Sequence, residues 1–458
     1  DEDDDKLSLA DRIGRIVLLV GGIVLFIVLF LYGPQISRWW NSRLPGDFVR
    51  VKRLTRILYR KRFFHYPLKA QDALFGLGLW TSATCLFSYL RRRLFPLRPE
   101  NSFEEWVINR FGDQLYRVFF KTYTEKVWGM RCSQINADWA SQRIKGLSLK
   151  RAILGAIGFQ PSGQETVKTL VDEFEYPRLG AGTLWERTRN EIVGLGGQVQ
   201  LGKTVRRFEL EGNRVVAVHT TSATGQQERW LADSFIVSMP LRDCVRNMEP
   251  PLAEEIQNAA HQLSYRDFIL VALIVNRANL FPDNWIYVHD PAVKVARIEN
   301  YNNWTREMSA GPDATCLELE YFCSQGDDFW QMNDAQILEL AKHELEQLGL
   351  AKASEVIDGC VVRVEKAYPV YDAGYRRNVN IIRKGLAPLE NLQVVGRNGM
   401  HKYNNQDHSM LTGILAARNL DGERNDLWRV NGDAEYLEEI TEEKGRQVPI
   451  PIAASTRK

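Results

Sequence analysis

The chain has 458 residues, 45% apolar and 25% charged, the composition of a globular protein with room for two or three cored domains. A formal net charge of +2 excludes recruitment to nucleic acid by overall charge. Six cysteines without a C-x-x-C pair and seven scattered histidines exclude a zinc pattern, any other evident metal site and a dense disulfide framework, so reduced thiols are expected.

Residues 1–5 are acidic and read as disordered. Residues 16–37 carry no charge, and 16–32 are almost wholly Val, Leu, Ile, Phe and Gly. About 20 such residues cross a bilayer, and Trp39 and Trp40 follow where an interfacial belt would lie. A transmembrane helix is therefore expected over 16–37; the alternative is a pair of buried strands turning at Gly21-Gly22. Lys and Arg are denser after this segment than before it, which places the main body in the cytoplasm, anchored to the membrane. Residues 50–62 alternate basic with apolar side chains, as either a solvated face of a β-rich piece or a patch for anionic headgroups. Residues 73–90 are again free of charge, end in Arg91-Arg92-Arg93, and read as buried helices of a cap, with membrane contact the alternative. Asn101-Ser102 is a plausible cap for a helix opening at Phe103.

Further on, Gly180-Ala181-Gly182 opens a helix, and 196–201 turn into a strand. A hairpin is expected over 205–218 around Gly212-Asn213, and a buried strand over 232–240. Strands are expected at 268–276 and 284–289. The segments 297–301 and 316–322 alternate as half-buried strands. An amphipathic helix over 335–348, a strand at 361–364 and Ala367-Tyr368-Pro369-Val370-Tyr371 complete a mixed sheet. Then Leu392-Gln393-Val394-Val395 reads as a buried strand, Gly396-Arg397-Asn398-Gly399 as a glycine loop, and 409–417 as a helix, with Asn404, Asn405 and Asp407 as candidate caps. Helix-start amides favour an anion, Gly396 and Gly399 allow close backbone approach, and Arg397 can add a charged hydrogen bond. An ordinary strand–loop–helix unit is the alternative, since a lone glycine loop is a weak signal.

Gly396-Arg397-Asn398-Gly399, Tyr403 and Asp407 resemble the C-terminal FAD motif of the superfamily that contains UDP-galactopyranose mutase, protoporphyrinogen oxidase and the amine oxidases. Lys121-Thr122-Tyr123-Thr124-Glu125-Lys126-Val127-Trp128-Gly129 is similar to a segment of the mutases. The resemblance covers roughly residues 35–435. It implies an α/β fold: a partial, Rossmann-like FAD-binding domain, a helical cap and a mixed-sheet substrate domain. The expected division is 1–15 acidic segment, 16–37 transmembrane helix, 38–160 cap, 161–245 FAD-binding region, 246–385 substrate domain, 386–435 C-terminal FAD segment and 436–458 tail. It implies that Gly396, Arg397, Asn398, Gly399, Tyr403 and Asp407 meet the flavin end and pyrophosphate of FAD, that Val205 lies near the adenine through its backbone, and that 367–371 sit beside the flavin.

The expected function is an FAD-dependent oxidoreductase of a small organic or sugar-linked substrate, with Tyr368, Tyr371 and Arg297 as candidate catalytic residues. The alternatives are a flavin-dependent sugar-nucleotide mutase and a membrane-anchored interaction protein without flavin. No G-x-G-x-x-G occurs before residue 50, and Ala10-Asp11-Arg12-Ile13-Gly14 resembles the piece that follows the ribose-binding acid in relatives. A missing N-terminus, replacement by an anchor, or a shifted reading frame would each account for this, and each weakens FAD binding or loses it. No protein partner is indicated.

Overall fold

The computed structural model describes residues 39–66, 76–137, 139, 173–309 and 311–431. The expected acidic segment, the transmembrane helix over 16–37 and the tail lie outside them. Among the described residues no helix is long and apolar enough to cross a membrane.

A seven-stranded sheet dominates. Its order is Val356–Pro369, Tyr265–Val275, Thr315–Cys323, Arg297–Asn300, Trp285–Val288, Thr55–Tyr59 and Arg62–His65. All neighbours run antiparallel except Trp285–Val288 and Thr55–Tyr59, which are parallel. Tyr265–Val275 is a continuous apolar run after its first three residues, so it is central and covered on both faces. Ile269, Val271, Leu273 and Val275 point to one side, against Ile337, Ala341 and Leu345 of the helix Asp334–Gln347. Asn333 and Gln336 form that helix's capping box. Phe268 and Leu270 point to the other side, into an aromatic cluster shared with the cap. There Ser102 and Glu105 box the start of the helix Phe103–Phe111. A helical stretch follows through Asp113–Leu115, the π-turn Tyr116–Lys121 and Thr122–Trp128.

A four-stranded sheet has the order Gln227–Leu231, Arg214–Ser222, Lys203–Glu211 and Met248–Glu249. Beside it, Phe235–Val237 and Leu392–Val394 pair in parallel. Asn391 stitches the two together. Its side-chain oxygen accepts the Val215 amide (2.9 Å), and its amide group donates to the carbonyls of Val215 and Asp233 (both 2.8 Å). The helices Leu241–Arg246, Glu254–His261, Tyr375–Leu386 and Gln406–Leu420 pack with these strands into a further core.

The mixed α/β architecture matches the sequence reading, with four local corrections. Residues 297–301 and 316–322 are not half-buried: both faces of these strands are covered, so their charged side chains lie inside. Residues 198–201 are not in a strand, which begins only at Lys203. The strand expected over 232–240 is confined to Phe235–Val237, and Ile236 is exposed. The helix Leu79–Leu94 is not buried but turns an apolar side outward.

Gly399 is required by packing: a Cβ there would lie 2.7 Å from the Val237 carbonyl oxygen and 3.1 Å from Ser238 Cα, both backbone. Gly399→Ala should push the loop off the parallel strand and destabilise the fold by roughly 1–3 kcal/mol. Chemical denaturation should show a lowered midpoint with an unchanged slope.

Candidate functional site

The site is built where the strand Leu392–Val394 ends. Val395 donates its amide to the Val237 carbonyl (2.9 Å), and Gly396 then turns the chain at φ +79, a conformation that favours glycine. Its amide donates to Thr412 Oγ1 (3.0 Å), and its carbonyl accepts from Asn404 Nδ2 (3.2 Å). Gly396–Gly399 forms one helical turn. Asn405 then caps the helix Gln406–Leu420, with His408 returning a bond to the Asn405 amide (3.1 Å). The expected order of strand, glycine loop and helix start is present.

Three tyrosines converge on this loop. The Arg397 guanidinium lies 4.8 Å from the ring centroids of both Tyr368 and Tyr403, which stack on each other at 5.7 Å. Arg397 Nε donates to the Asn404 carbonyl (2.8 Å), while its buried Nη2 has no hydrogen-bond partner among the described residues. The Tyr371 hydroxyl accepts the Tyr403 amide (2.7 Å), and its ring stacks on Tyr375 at 4.1 Å. Asn398 Nδ2 donates to the Lys366 carbonyl (2.7 Å), and its Oδ1 is buried without a partner among the described residues. Burial raises the phenols of Tyr368, to about 12, and of Tyr371.

Asp407 is fully buried in the first turn of its helix. Among the described residues neither carboxylate oxygen makes a well-formed hydrogen bond, although His408 Nδ1 lies 3.3 Å from Oδ1. Burial pushes the carboxyl up to about 7, more than the first amides of the helix pull it down.

Val205 stands on the four-stranded sheet, where its carbonyl accepts from Asn247 Nδ2 (3.4 Å), and it shares an apolar core with the C-terminal segment. Arg297 is engaged elsewhere, in an ion pair with Glu320, with Glu299 at 3.5 Å. The cross-strand register places Arg297 opposite Glu320 and Glu299 opposite Glu318. Tyr301 donates its hydroxyl to Glu318. Burial raises all three carboxyls, Glu299 to about 8. Tyr123 and Tyr368 lie within electrostatic reach of Arg297, so this network approaches the tyrosine cluster from the sheet side.

Sequence reasoning missed these glutamates, as well as Lys126 and Arg266. The signal was available: charges at period two in two strands that pair in register put every charge on one face. Lys126 donates to the carbonyls of Val288 (3.3 Å), Asp290 (2.5 Å) and Val295 (3.2 Å), and burial lowers it to about 8. Arg266 donates to the carbonyls of Val127 (3.0 Å) and Phe322 (3.0 Å). Among the described residues no group of three or more His, Cys, Asp or Glu could hold a metal ion.

The chain belongs to the flavin-containing amine oxidoreductase family, whose model matches residues 39–421. Its fold is similar to that of reduced UDP-galactopyranose mutase (TM-score 0.74, 18% identity, 88% of this chain and 86% of that one). It is also similar to a putative protoporphyrinogen oxidase from Exiguobacterium sp. 255-15 (TM-score 0.60, 16% identity, 85% of each chain). A putrescine oxidase mutant, from a redesign of cofactor binding, matches with TM-score 0.53 and 12% identity over 84% of this chain and 85% of that one. No curated protein sequence matches significantly.

The buried carboxyls set a pH dependence. Glu299 holds its proton up to about 8 in the folded chain, against an ordinary value of 4.5, so its contribution to stability falls as pH rises through that window. Asp407, raised to about 7, acts in the same direction. His289 and His401, lowered by burial to about 3 and about 4, act oppositely but only below 6.5. Between pH 6.5 and 8 the carboxyls therefore dominate, and stability should fall with a slope of up to ~1.4 kcal/mol per pH unit per group. Denaturation midpoints across this range should show the decline in the parent and a shallower one in Glu299→Gln.

Proposed function

We propose that the chain is an FAD-dependent oxidoreductase acting on a small organic or sugar-linked substrate. One observation carries this reading. The loop and helix start at the carboxyl end of the parallel pair hold a fully buried carboxyl, Asp407, without a well-formed hydrogen bond among the described residues, and the same loop carries Arg397, whose buried Nη2 has no hydrogen-bond partner among them. The carboxyl end of parallel strands is where α/β sheets take their ligands. These groups fit FAD. A carboxylate accepts hydroxyls of a polyol such as the ribityl chain, helix-start amides suit a phosphate, and Arg397 can donate to an anionic edge. Bound flavin would supply the two-electron redox chemistry, while this chain orients the substrate. Tyr368 and Tyr403 would form an aromatic wall, and Tyr371 would position Tyr403 through its amide.

The block at 121–129 does not favour the mutase reading over this one, because its members have packing roles. Lys126 is held by three carbonyls, Trp128 is buried, and a Cβ on Gly129 would meet the Arg266 guanidinium carbon at 2.5 Å. A redox-neutral isomerisation assay separates the two. The proposed membrane anchoring, with the body in the cytoplasm, rests on the uncharged run at 16–37 and the basic residues after it.

FAD titration tests the proposal. Asp407→Ala removes hydrogen bonds to a charged group, each roughly 1.5–3 kcal/mol, and should weaken binding about tenfold to a hundredfold. Gly396→Val should weaken binding at least as much: its Cβ has room, with Ser238 and Ser409 Cβ at 3.9 and 4.0 Å, but a β-branched residue at φ +79 strains the loop and should lower stability as well. Absence of FAD binding in the parent would favour the interaction-protein reading, and equal affinity in all three proteins would overturn the site.

A further inference from the structure

The helix Leu79–Leu94 is mounted with its apolar side outward. Its inner side holds it to the body: Arg92 makes two bonds of 2.7 Å to Asp113, the Ser88 hydroxyl accepts the Gln114 amide (3.1 Å), and Cys85 is buried. On the outer side Trp80, Ala83, Phe87, Leu90 and Leu94 recur at spacings of three and four, one stripe along the helix. Trp80, Phe87 and Leu94 are 82%, 72% and 74% exposed, and Phe95 just beyond is 70% exposed. Exposed cations stand at both ends. Arg91, Arg93 and Arg98 lie at the C-terminal end. At the other end, Arg60 and Lys61 form the tip of a hairpin whose Arg62 donates to the Gly76 carbonyl (2.8 Å). That tip holds Arg60 and Lys61 at φ 49 and 60, where Asn-Gly would be less strained. Among the described residues the neighbouring acids are occupied, Asp113 by Arg92 and Glu100 by Arg110, and residues 77–97 contain no acid.

We propose that this face docks in the plane of an anionic lipid bilayer, with the aromatic stripe at the acyl boundary and the flanking arginines at headgroup phosphates. Sixteen residues span about 24 Å at a rise of 1.5 Å each, short of the ~30 Å hydrocarbon core, so the helix lies along the surface. Charge selects this occupant. Among the described residues the unpaired exposed ionised groups at both ends are cationic, so anionic headgroups attract them, whereas a second copy would bring like charge.

The test places an environment-sensitive fluorophore on Phe87→Cys in the full chain, with identically treated parent as the blank for the native cysteines. Vesicles of phosphatidylcholine, with and without phosphatidylglycerol, are then added. The expected result is a blue shift with the anionic vesicles, weakened about tenfold or more in lipid concentration by Arg91→Glu with Arg93→Glu, and by high salt. No shift with either vesicle would overturn the proposal. So would a shift produced by raising protein concentration without lipid, which would assign the face to a second copy. Blue emission in dilute, lipid-free protein would assign it to the chain's own residues and also overturn the proposal.

Discussion

Two cations, Arg266 buried and Lys126 half-buried, are solvated largely by backbone carbonyls and hold the helical cap against the seven-stranded sheet. Arg266, on the central strand, donates to the Val127 carbonyl at the end of the helix Thr122–Trp128, where the helix dipole favours a positive charge. It also donates to the Phe322 carbonyl and to Ser324 Oγ (2.6 Å) on the neighbouring strand and its turn. Lys126, on the same helix, reaches back to three carbonyls around Trp285–Val288 and the loop beyond it. Burial lowers the pKa of both cations, while carbonyl dipoles replace lost water and nearby carboxylates favour the charged forms, Asp327 at 3.5 Å from Arg266 and Glu344 and Asp290 around Lys126. The reciprocal arrangement leaves the helix little freedom to slide. It sets Trp128 at 6.3 Å from Tyr403 and stacks Tyr123 on His289 at 4.7 Å, which fixes the sheet-side wall of the tyrosine cluster.

The parts that could be read from the sequence were those whose signals are local. A strand, two glycines and a capped helix lie within 30 residues, and each is encoded by its own side chains: apolar run, positive φ at Gly396, and Asn405 with His408. The roles of the glycines were less legible. Gly399 is small because Val237 backs onto it, a contact made across a long sequence separation. The buried charges were misread for a physical reason. Alternation in Arg297-Ile298-Glu299 and Leu317-Glu318-Leu319-Glu320 is the pattern of a strand with one wet face. Here the face that alternation marks as polar is covered by the cap, and the glutamates stay inside by keeping protons or pairing with Arg297. Periodicity reports which side chains share a face, not whether water reaches it.

The same limit applied to the helix Leu79–Leu94. Its sequence reads as core because it is apolar, yet its attachment runs through Arg92, Ser88 and Cys85, on the side that a hydrophobic count would call the weaker one. A short bidentate ion pair and one hydroxyl bond orient the helix, and the apolar stripe points outward as a consequence. Composition had identified the helix; only the location of its polar partners, 21 and more residues away, decided its facing.

Asp407 makes the strongest demand on what the C-terminal segment binds. A helix start alone would suit a phosphate, and so would Arg397, but a carboxylate among them repels one. With its pKa near 7, this carboxyl can accept hydrogen bonds when ionised or donate one when protonated; among the described residues the amides at its helix start approach it, but no well-formed bond fills either role. Hydroxyl groups are the partners that satisfy both states. A ligand presenting hydroxyls to Asp407 and negative charge to the helix amides and Arg397 would therefore satisfy groups that are otherwise buried at a cost of about 1–3 kcal/mol each. A polyol joined to a phosphate has that pattern, and a flavin nucleotide carries it between its ring and its pyrophosphate. Tyr368 and Tyr403, which stack on each other at 5.7 Å with the Arg397 guanidinium 4.8 Å from both rings, offer the same segment an aromatic surface, which a flat ring system would use and a simple polyol phosphate would not.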